Sequence, residues 1–264
     1  MNLLRIDGYS QQIILGVVII AAIFPDDRAS EEMAKKMEES LPLAINCDMG
    51  EGFGLYHMGD DERMMPHITV ASVVMHNTVQ VAKRFGVRVG APPSLPDLQG
   101  FGRREMKVGR DELRDILLYQ IGALTAFLKA EGMTLNHVKP HGALYGMAAR
   151  QDKTAHAIAD AAEVFGVPVY DMAGGIGFVP ESYADLDYAG NGTRIITREH
   201  EAVEPMAAAA PCLRAIREGK IESIDGNDVP VRVESICVHS DTPGAVSVAK
   251  PVRSALADYL GKSA

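Results

Sequence analysis

Three short apolar runs in this chain stop abruptly at residues able to carry chemistry. They are Leu43-Ala44-Ile45-Asn46-Cys47-Asp48-Met49-Gly50-Glu51, His137-Val138-Lys139-Pro140-His141-Gly142 and Ile236-Cys237-Val238-His239-Ser240-Asp241. Runs of this length between turn signals read as buried strands, and long amphipathic segments separate them. Strand and helix alternating over the whole stretch argue for a mostly parallel sheet, open or closed into a barrel. In both arrangements the carboxyl ends of the strands surround the ligand. The layout therefore predicts Asp48, Glu51, Lys139, His141, His239 and Asp241 around one pocket.

The pattern assigns most of the elements. A glycine-rich loop runs from Gly50 to Gly59, and Asp60-Asp61-Glu62 suits the first turn of a helix. Val73 to Phe85 reads as a helix, Val87 to Ala91 as a strand, and Pro92 to Asp97 as a loop. Asp111 to Glu131 is the clearest helix, with Leu113, Ile116, Leu117, Gln120, Ile121, Leu124, Phe127 and Leu128 on one face and Gln120 its one polar exception. His137–Lys139 is a strand, Asp152 to Phe165 a helix and Val167 to Met172 a strand, and Ala173 to Arg194 reads as irregular. Glu199 to Glu218 is helical with Pro205 and Pro211 starting, kinking or splitting it, and Val229–Val233 and Ser235–Val238 are strands. Thr242-Pro243 is expected to open the last helix, with a kink at Pro251.

Bulk properties narrow the function. A net charge of -9 and no long basic run exclude a nucleic-acid partner. Cys47, Cys212 and Cys237 lack CxxC spacing, which suits inert buried thiols in a reducing cytoplasm. Ile13 to Phe24 is apolar but falls short of the ~20 residues that span a bilayer, so no membrane role is expected. Residues 1–42 read as an extension of this apolar segment and a linker helix, and residues 43–264 as the domain.

Each strand end offers a specific chemistry. Asp48 and Glu51 stand beside Gly50, Gly52 and Gly54, where a ligand can approach the backbone. One carboxylate serves as a metal ligand or general base and the other as acid or orienter, unless Asp48 only caps the turn and Glu51 is solvated. Lys139 and His141 present an ammonium and an imidazole from one strand end, able to polarise a carbonyl and move a proton. His239 and Asp241 form a candidate His–carboxylate pair, with Asp241 as a helix cap the alternative. Arg103 and Arg104 can hold a carboxylate or phosphate. Gly174-Gly175-Ile176-Gly177 lacks the Rossmann spacing, and no Walker A sequence is present.

With these residues in hand, the chain resembles the LamB/YcsF family, whose bacterial members are the A component of 5-oxoprolinase. The likeness runs from about Leu43 to Leu260. It rests on Asn46 to Gly54, Pro96 to Arg104, Lys139 to Tyr145 and Ser235 to Asp241. The resemblance implies an incomplete TIM-like β/α barrel of the glycoside hydrolase/deacetylase type. The implied activity is ATP-dependent opening of the 5-oxoproline lactam to glutamate, carried out with separate B and C subunits. It implies Asp48, Glu51, Lys139, His141 and Asp241 as catalytic positions, with Arg103, Arg104, Tyr145 and His239 binding a 5-oxoproline-like molecule.

The chain departs from the family pattern in three places, one of them a shortening around Gly174 to Glu181, after which Glu181-Ser182-Tyr183-Ala184-Asp185 is similar to the family's acidic, aromatic segment. Members carry Ala-Asn-x-Ala-Cys-Gly-Phe-His-Ala-x-Asp-Pro after the first strand, where Val70-Ala71-Ser72 here runs directly into Val73-Val74-Met75-His76. A second-strand core and a pocket histidine are therefore expected to be absent. Ala-His-Pro of the family is Ala91-Pro92-Pro93 here. Related deacetylases hold a divalent ion with an Asp and two His, of which only Asp48 is kept. Two alternatives follow: a metal-dependent hydrolase of the deacetylase kind in carbohydrate metabolism, and a catalytically impaired homologue that still binds its partners.

Overall fold

The computed structural model describes residues 43–51, 59–74, 76–170, 178–195 and 204–260. The expectations for the amino-terminal segment, for residues 52–58 of the glycine-rich loop, for residues 171–177 and for residues 196–203 lie outside the described residues.

The strands are β1 (Ala44–Met49), β2 (Val70–Val73), β3 (Arg88–Ala91), β4 (Leu135–Val138), β5 (Val169–Tyr170), β6 (Phe178–Val179), β7 (Glu181–Tyr183), β8 (Asp187–Tyr188), β9 (Arg194–Ile195), β10 (Lys220–Glu222), β11 (Asp228–Pro230) and β12 (Ser235–Cys237). The helices are α1 (Asp61–Met64), α2 (His76–Phe85), α3 (Arg110–Ala130), α4 (Ala143–Ala148), α5 (Asp152–Phe165), α6 (Pro205–Glu218) and α7 (Ala245–Ala255). Eight strands form one sheet in the order β6-β5-β4-β3-β2-β1-β12-β7, every neighbouring pair parallel.

The two edges of this sheet are consecutive in the chain. β6 pairs with β5 and β7 pairs with β12, and only Pro180 separates them. One extended segment, Phe178–Tyr183, therefore joins both edges, and the sheet curls nearly closed into a TIM-like β/α barrel. Pro180 falls where the strand changes partners, a place where a missing N–H costs no ladder bond.

The helices cover the outside. α3 buries Leu113, Leu117, Ile121, Leu124 and Leu128 in one stripe, each worth roughly 1.5–3 kcal/mol relative to exposure. α6 begins with Pro205 at its first turn and is capped by the Glu204 side chain on Ala207 N–H at 2.7 Å, and Pro211 is accommodated inside it. β10 and β11 make an antiparallel hairpin outside the barrel, as do β8 and β9.

Four expectations need correction. Val73 belongs to β2 and not to the helix after it, which begins only at His76. The second strand is thus present, paired with β1 and β3, and the chain does not lose that part of the barrel core. The irregular stretch Ala173 to Arg194 contains β6, β7, β8 and β9. The last helix opens at Ala245 after Gly244, while Thr242 turns its hydroxyl to Asp185 at 3.0 Å instead of capping a helix.

Candidate active site

Alternation along the strands divides the barrel interior into layers. Ala44, Val70, Tyr170 and Val179, from β1, β2, β5 and β6, form a separate apolar cluster at the amino-terminal end. These strands are not all neighbours, so the cluster meets across the barrel axis. Above it lies a polar layer. Glu181 Oε1 accepts from Asn46 Nδ2 at 2.9 Å and Ser235 Oγ at 3.0 Å, and Ser72 Oγ meets His137 Nε2 at 3.2 Å. His137 is fully buried and stacked on Tyr170, and burial, with the nearby Lys139 charge, pulls its pKa down to about 3, so it is neutral. Its ring fills the space beside Gly90, where a Cβ would sit 2.1 Å away.

The next layer carries charge. Lys139, just past the end of β4, is 3% exposed. Its Nζ is 3.1 Å from Glu181 Oε2, 3.4 Å from Asp48 Oδ1 and 3.1 Å from Cys237 Sγ. Desolvation opposes its charge, but Asp48, Cys237 and Glu181 prevail and hold its pKa well above the ordinary lysine value. Burial likewise pushes the Asp48 carboxyl up, yet Lys139 and His141 outweigh it and hold that pKa far below the usual carboxylate range. Asp48 is therefore a fixed anion. One ammonium shared by two carboxylates needs this geometry, because any of the three left alone in the interior would cost several kcal/mol.

At the rim, His141 Nδ1 is 3.8 Å from both Asp48 Oδ2 and Glu51 Oε1. Its Nε2 meets the Phe101 carbonyl at 3.2 Å; a carbonyl only accepts, so this nitrogen carries hydrogen and Nδ1 faces the carboxylates. Burial lowers the imidazole pKa, but Asp48 and Glu51 raise it further, and the net shift is upward. Glu51 is 5% exposed, and burial together with Asp48 pushes its pKa up to about 7. The two neighbouring carboxyls are thus driven apart, one permanently ionised and one titrating near neutrality.

The loops that hold this rim are latched together. His141 N–H donates to the Pro93 carbonyl at 3.0 Å and Ala143 N–H to the Gly102 carbonyl at 2.9 Å. Gly142 has φ 63° and lies so close to Gly102 that a Cβ would meet its carbonyl oxygen at 2.5 Å. Arg104 forks onto Asp97, with its Nε 2.9 Å from Oδ2, and so ties down its own loop. Arg103 pairs with Asp241 at 3.0 Å.

His239 is paired with a different carboxylate from the one expected. Its Nδ1 is 2.9 Å from Asp185 Oδ1 and its backbone N–H donates to Asp185 Oδ2 at 2.9 Å, while Asp241 turns to Arg103. Desolvation lowers the His239 pKa, but the Asp185 bond reverses this and raises it. Its ring stacks on Tyr183, centroids 5.4 Å apart. Tyr145 is buried in α4 against the Arg194 guanidinium. Sequence reasoning met Glu181 and Asp185 only as part of a family-like acidic segment, gave neither a role in the site, and missed Arg194. The available signal was alternation in Val179-Pro180-Glu181-Ser182-Tyr183, obscured by the proline.

A divalent ion at Asp48 does not fit these neighbours. Among the described residues no group of three or more His, Cys, Asp and Glu side chains could hold a metal ion. The Lys139 ammonium already lies 3.4 Å from Asp48 and supplies the positive charge there. Pro92 follows the end of β3 and offers no side-chain ligand atom. Among the described residues no helix is long and apolar enough to cross a membrane.

Known proteins of the same kind share this architecture. The chain is 42% identical over 241 residues to the A component of a 5-oxoprolinase from Thermus thermophilus, covering 82% of this chain and 96% of that protein. It is 39% identical over 241 residues to the lactam utilization protein lamB of Emericella nidulans, covering 83% and 95%. In each case the aligned stretch is longer than the share of this 264-residue chain that it covers, so these relatives carry residues within it that this chain lacks. The crystal structure of a lactam utilization protein from Thermus thermophilus superposes with a TM-score of 0.75 at 38% identity, covering 83% of this chain and 97% of that one. The family model for LamB/YcsF matches residues 43–262, and the chain belongs to the LamB/YcsF family.

Proposed function

We propose that this chain is the lactam-opening subunit of a 5-oxoprolinase, a hydrolase that converts 5-oxoproline to glutamate. The observation that carries the reading is the pair Asp48 and Glu51, whose pKa values are driven in opposite directions beside His141 and Lys139. Hydrolysis of a cyclic amide needs a base for water, an acid for the leaving nitrogen and positive charge for the oxyanion.

Glu51, titrating near neutrality, takes the proton from the attacking water. The hydroxide adds to the lactam carbonyl carbon, and the Lys139 ammonium beneath Asp48 stabilises the developing oxyanion by its field. His141 donates from Nδ1 to the ring nitrogen as the carbon–nitrogen bond breaks, leaving an amino acid with two carboxylates. Asp48, always ionised, keeps Lys139 charged and the imidazole protonated between turnovers. ATP acts through the B and C type subunits, consistent with a chain that carries no Walker A loop. The relatives are named as one lettered component of a 5-oxoprolinase, which supports such an assembly.

The test is glutamate release from 5-oxoproline by the complex assembled with B and C type partners and ATP. Turnover that depends on this chain supports the reading. Partner binding with no glutamate formed overturns it and favours a catalytically impaired homologue, a reading that the residues present only in the relatives also support.

A further inference from the structure

Each of the two arginines after Phe101 already holds a carboxylate, Arg103 that of Asp241 and Arg104 that of Asp97. A third guanidinium reaches the same end of the barrel. Arg194 in β9 places its Cζ 4.1 Å from the centre of the Tyr145 ring and 4.6 Å from that of Tyr183. Tyr145 lies in α4, directly after the strand end that carries Lys139 and His141, and Tyr183 ends β7. The same Tyr183 ring has Lys139 Nζ 5.8 Å from its centre and the His239 ring stacked on it. Arg194 is half-buried, and among the described residues no carboxylate lies within ion-pair distance of it, although Glu181 acts on its charge from farther away.

A guanidinium withdrawn from water without an acid is costly, and aromatic faces recover only part of that cost. The arrangement is repaid when an anion arrives. Contacts to the tyrosine rings leave N–H edges of the guanidinium for a forked, bidentate carboxylate, which a lysine at the same place would not match. The only buried ammonium nearby, Lys139, is taken up by Asp48 and Glu181 among the described residues.

We propose that Arg194, clamped against Tyr145 and Tyr183, receives the carboxylate of the substrate and so turns its lactam carbonyl toward Lys139 and His141. This rests on the lactam reading for the identity of the ligand, but the receptor itself requires only a small cyclic carboxylate. It makes Arg194 the residue that tells the acid from its neutral amide, and it makes Tyr145 a positioning residue that acts through Arg194.

Calorimetric titration of the full chain with 5-oxoproline and with its neutral carboxamide, 5-oxoprolinamide, tests the proposal. The wild type is expected to prefer the acid, and Arg194→Met to bind the acid about tenfold to a hundredfold more weakly with little change for the amide. Arg194→Lys, which keeps the charge and the fold if the methionine variant is unstable, is expected to retain an intermediate preference. A preference for the acid that survives in both variants, or no preference in the wild type, overturns the proposal. Glutamate release by the assembled complex is read separately. A preference abolished by Arg194→Met with no turnover in the wild-type complex removes the lactam reading and leaves the carboxylate receptor. Turnover with an unchanged preference does the reverse.

Discussion

Along β1, Ala44 meets Val70, Tyr170 and Val179 in an apolar floor, and four residues later Asp48 meets Lys139 in a layer of charge. Both residues face the barrel interior from one strand, and both layers are withdrawn from water. The floor is held by burial alone, with no direction to its forces, and any side chains of the right volume would serve. The charged layer is held by geometry: Lys139 needs Asp48 and Glu181, and each of them needs Lys139. Replacing such a layer with apolar side chains is often neutral for stability. Its place at the carboxyl end of the strands, where the floor's solution was available, is what the proposed role as reacting centre would account for.

The largest break in this comparison is Lys139→Met. It leaves Asp48 and Glu181 as buried carboxylates without their cation, at a cost of about 3–5 kcal/mol measured by urea unfolding. Adding Glu181→Gln to that variant is expected to recover part of the stability and none of the activity. Equal loss in the single and double variants would show that the ammonium is not shared.

Glu51 sharpens the contrast through pH. Its folded pKa of about 7 lies above the ordinary 4.5, so between these values the folded chain holds a proton that the unfolded chain releases. Relative to Glu51→Gln, the wild type therefore loses stability as pH rises from about 4.5 to about 7, by a few kcal/mol at most, and the difference is flat above that range. Parallel stability profiles for the two proteins would contradict the raised pKa. In the floor, Val70→Ala removes two buried methyl groups and is expected to cost about 2 kcal/mol. The KM and pH profile of the assembled enzyme should be unchanged, since the floor touches no reacting group.

The same division explains what could be read from the chain. The strand β1 and its terminal Asp48 were legible because Leu43, Ala44, Ile45 and Cys47 form an apolar run that stops where chemistry begins. The helix α3 was legible to within a residue at each end because five leucine and isoleucine positions keep one helical stripe over 21 residues. β2 was misread because Val70 to Phe85 contains no glycine or proline, and the strand's last valine also fits the following helix. β6 and β7 were missed because each is two or three residues long and Pro180 interrupts them, yet their pairing on opposite edges closes the barrel. The partner of His239 was also hidden. Asp241 is two positions away in sequence, but Asp185, 54 residues distant, is the carboxylate that the fold delivers. Pairing across a barrel follows register and not spacing, so local patterns name the candidates and only the closed sheet names the partners.

The most direct measurement is glutamate release from 5-oxoproline by the assembled complex carrying Asp48→Asn, a near-isosteric change that removes the fixed anion between Lys139 and His141. The account predicts a rate at least about a hundredfold below wild type, with partner binding unchanged. A variant that turns over within about twofold of wild type would contradict the assignment of this charged layer as the reacting centre.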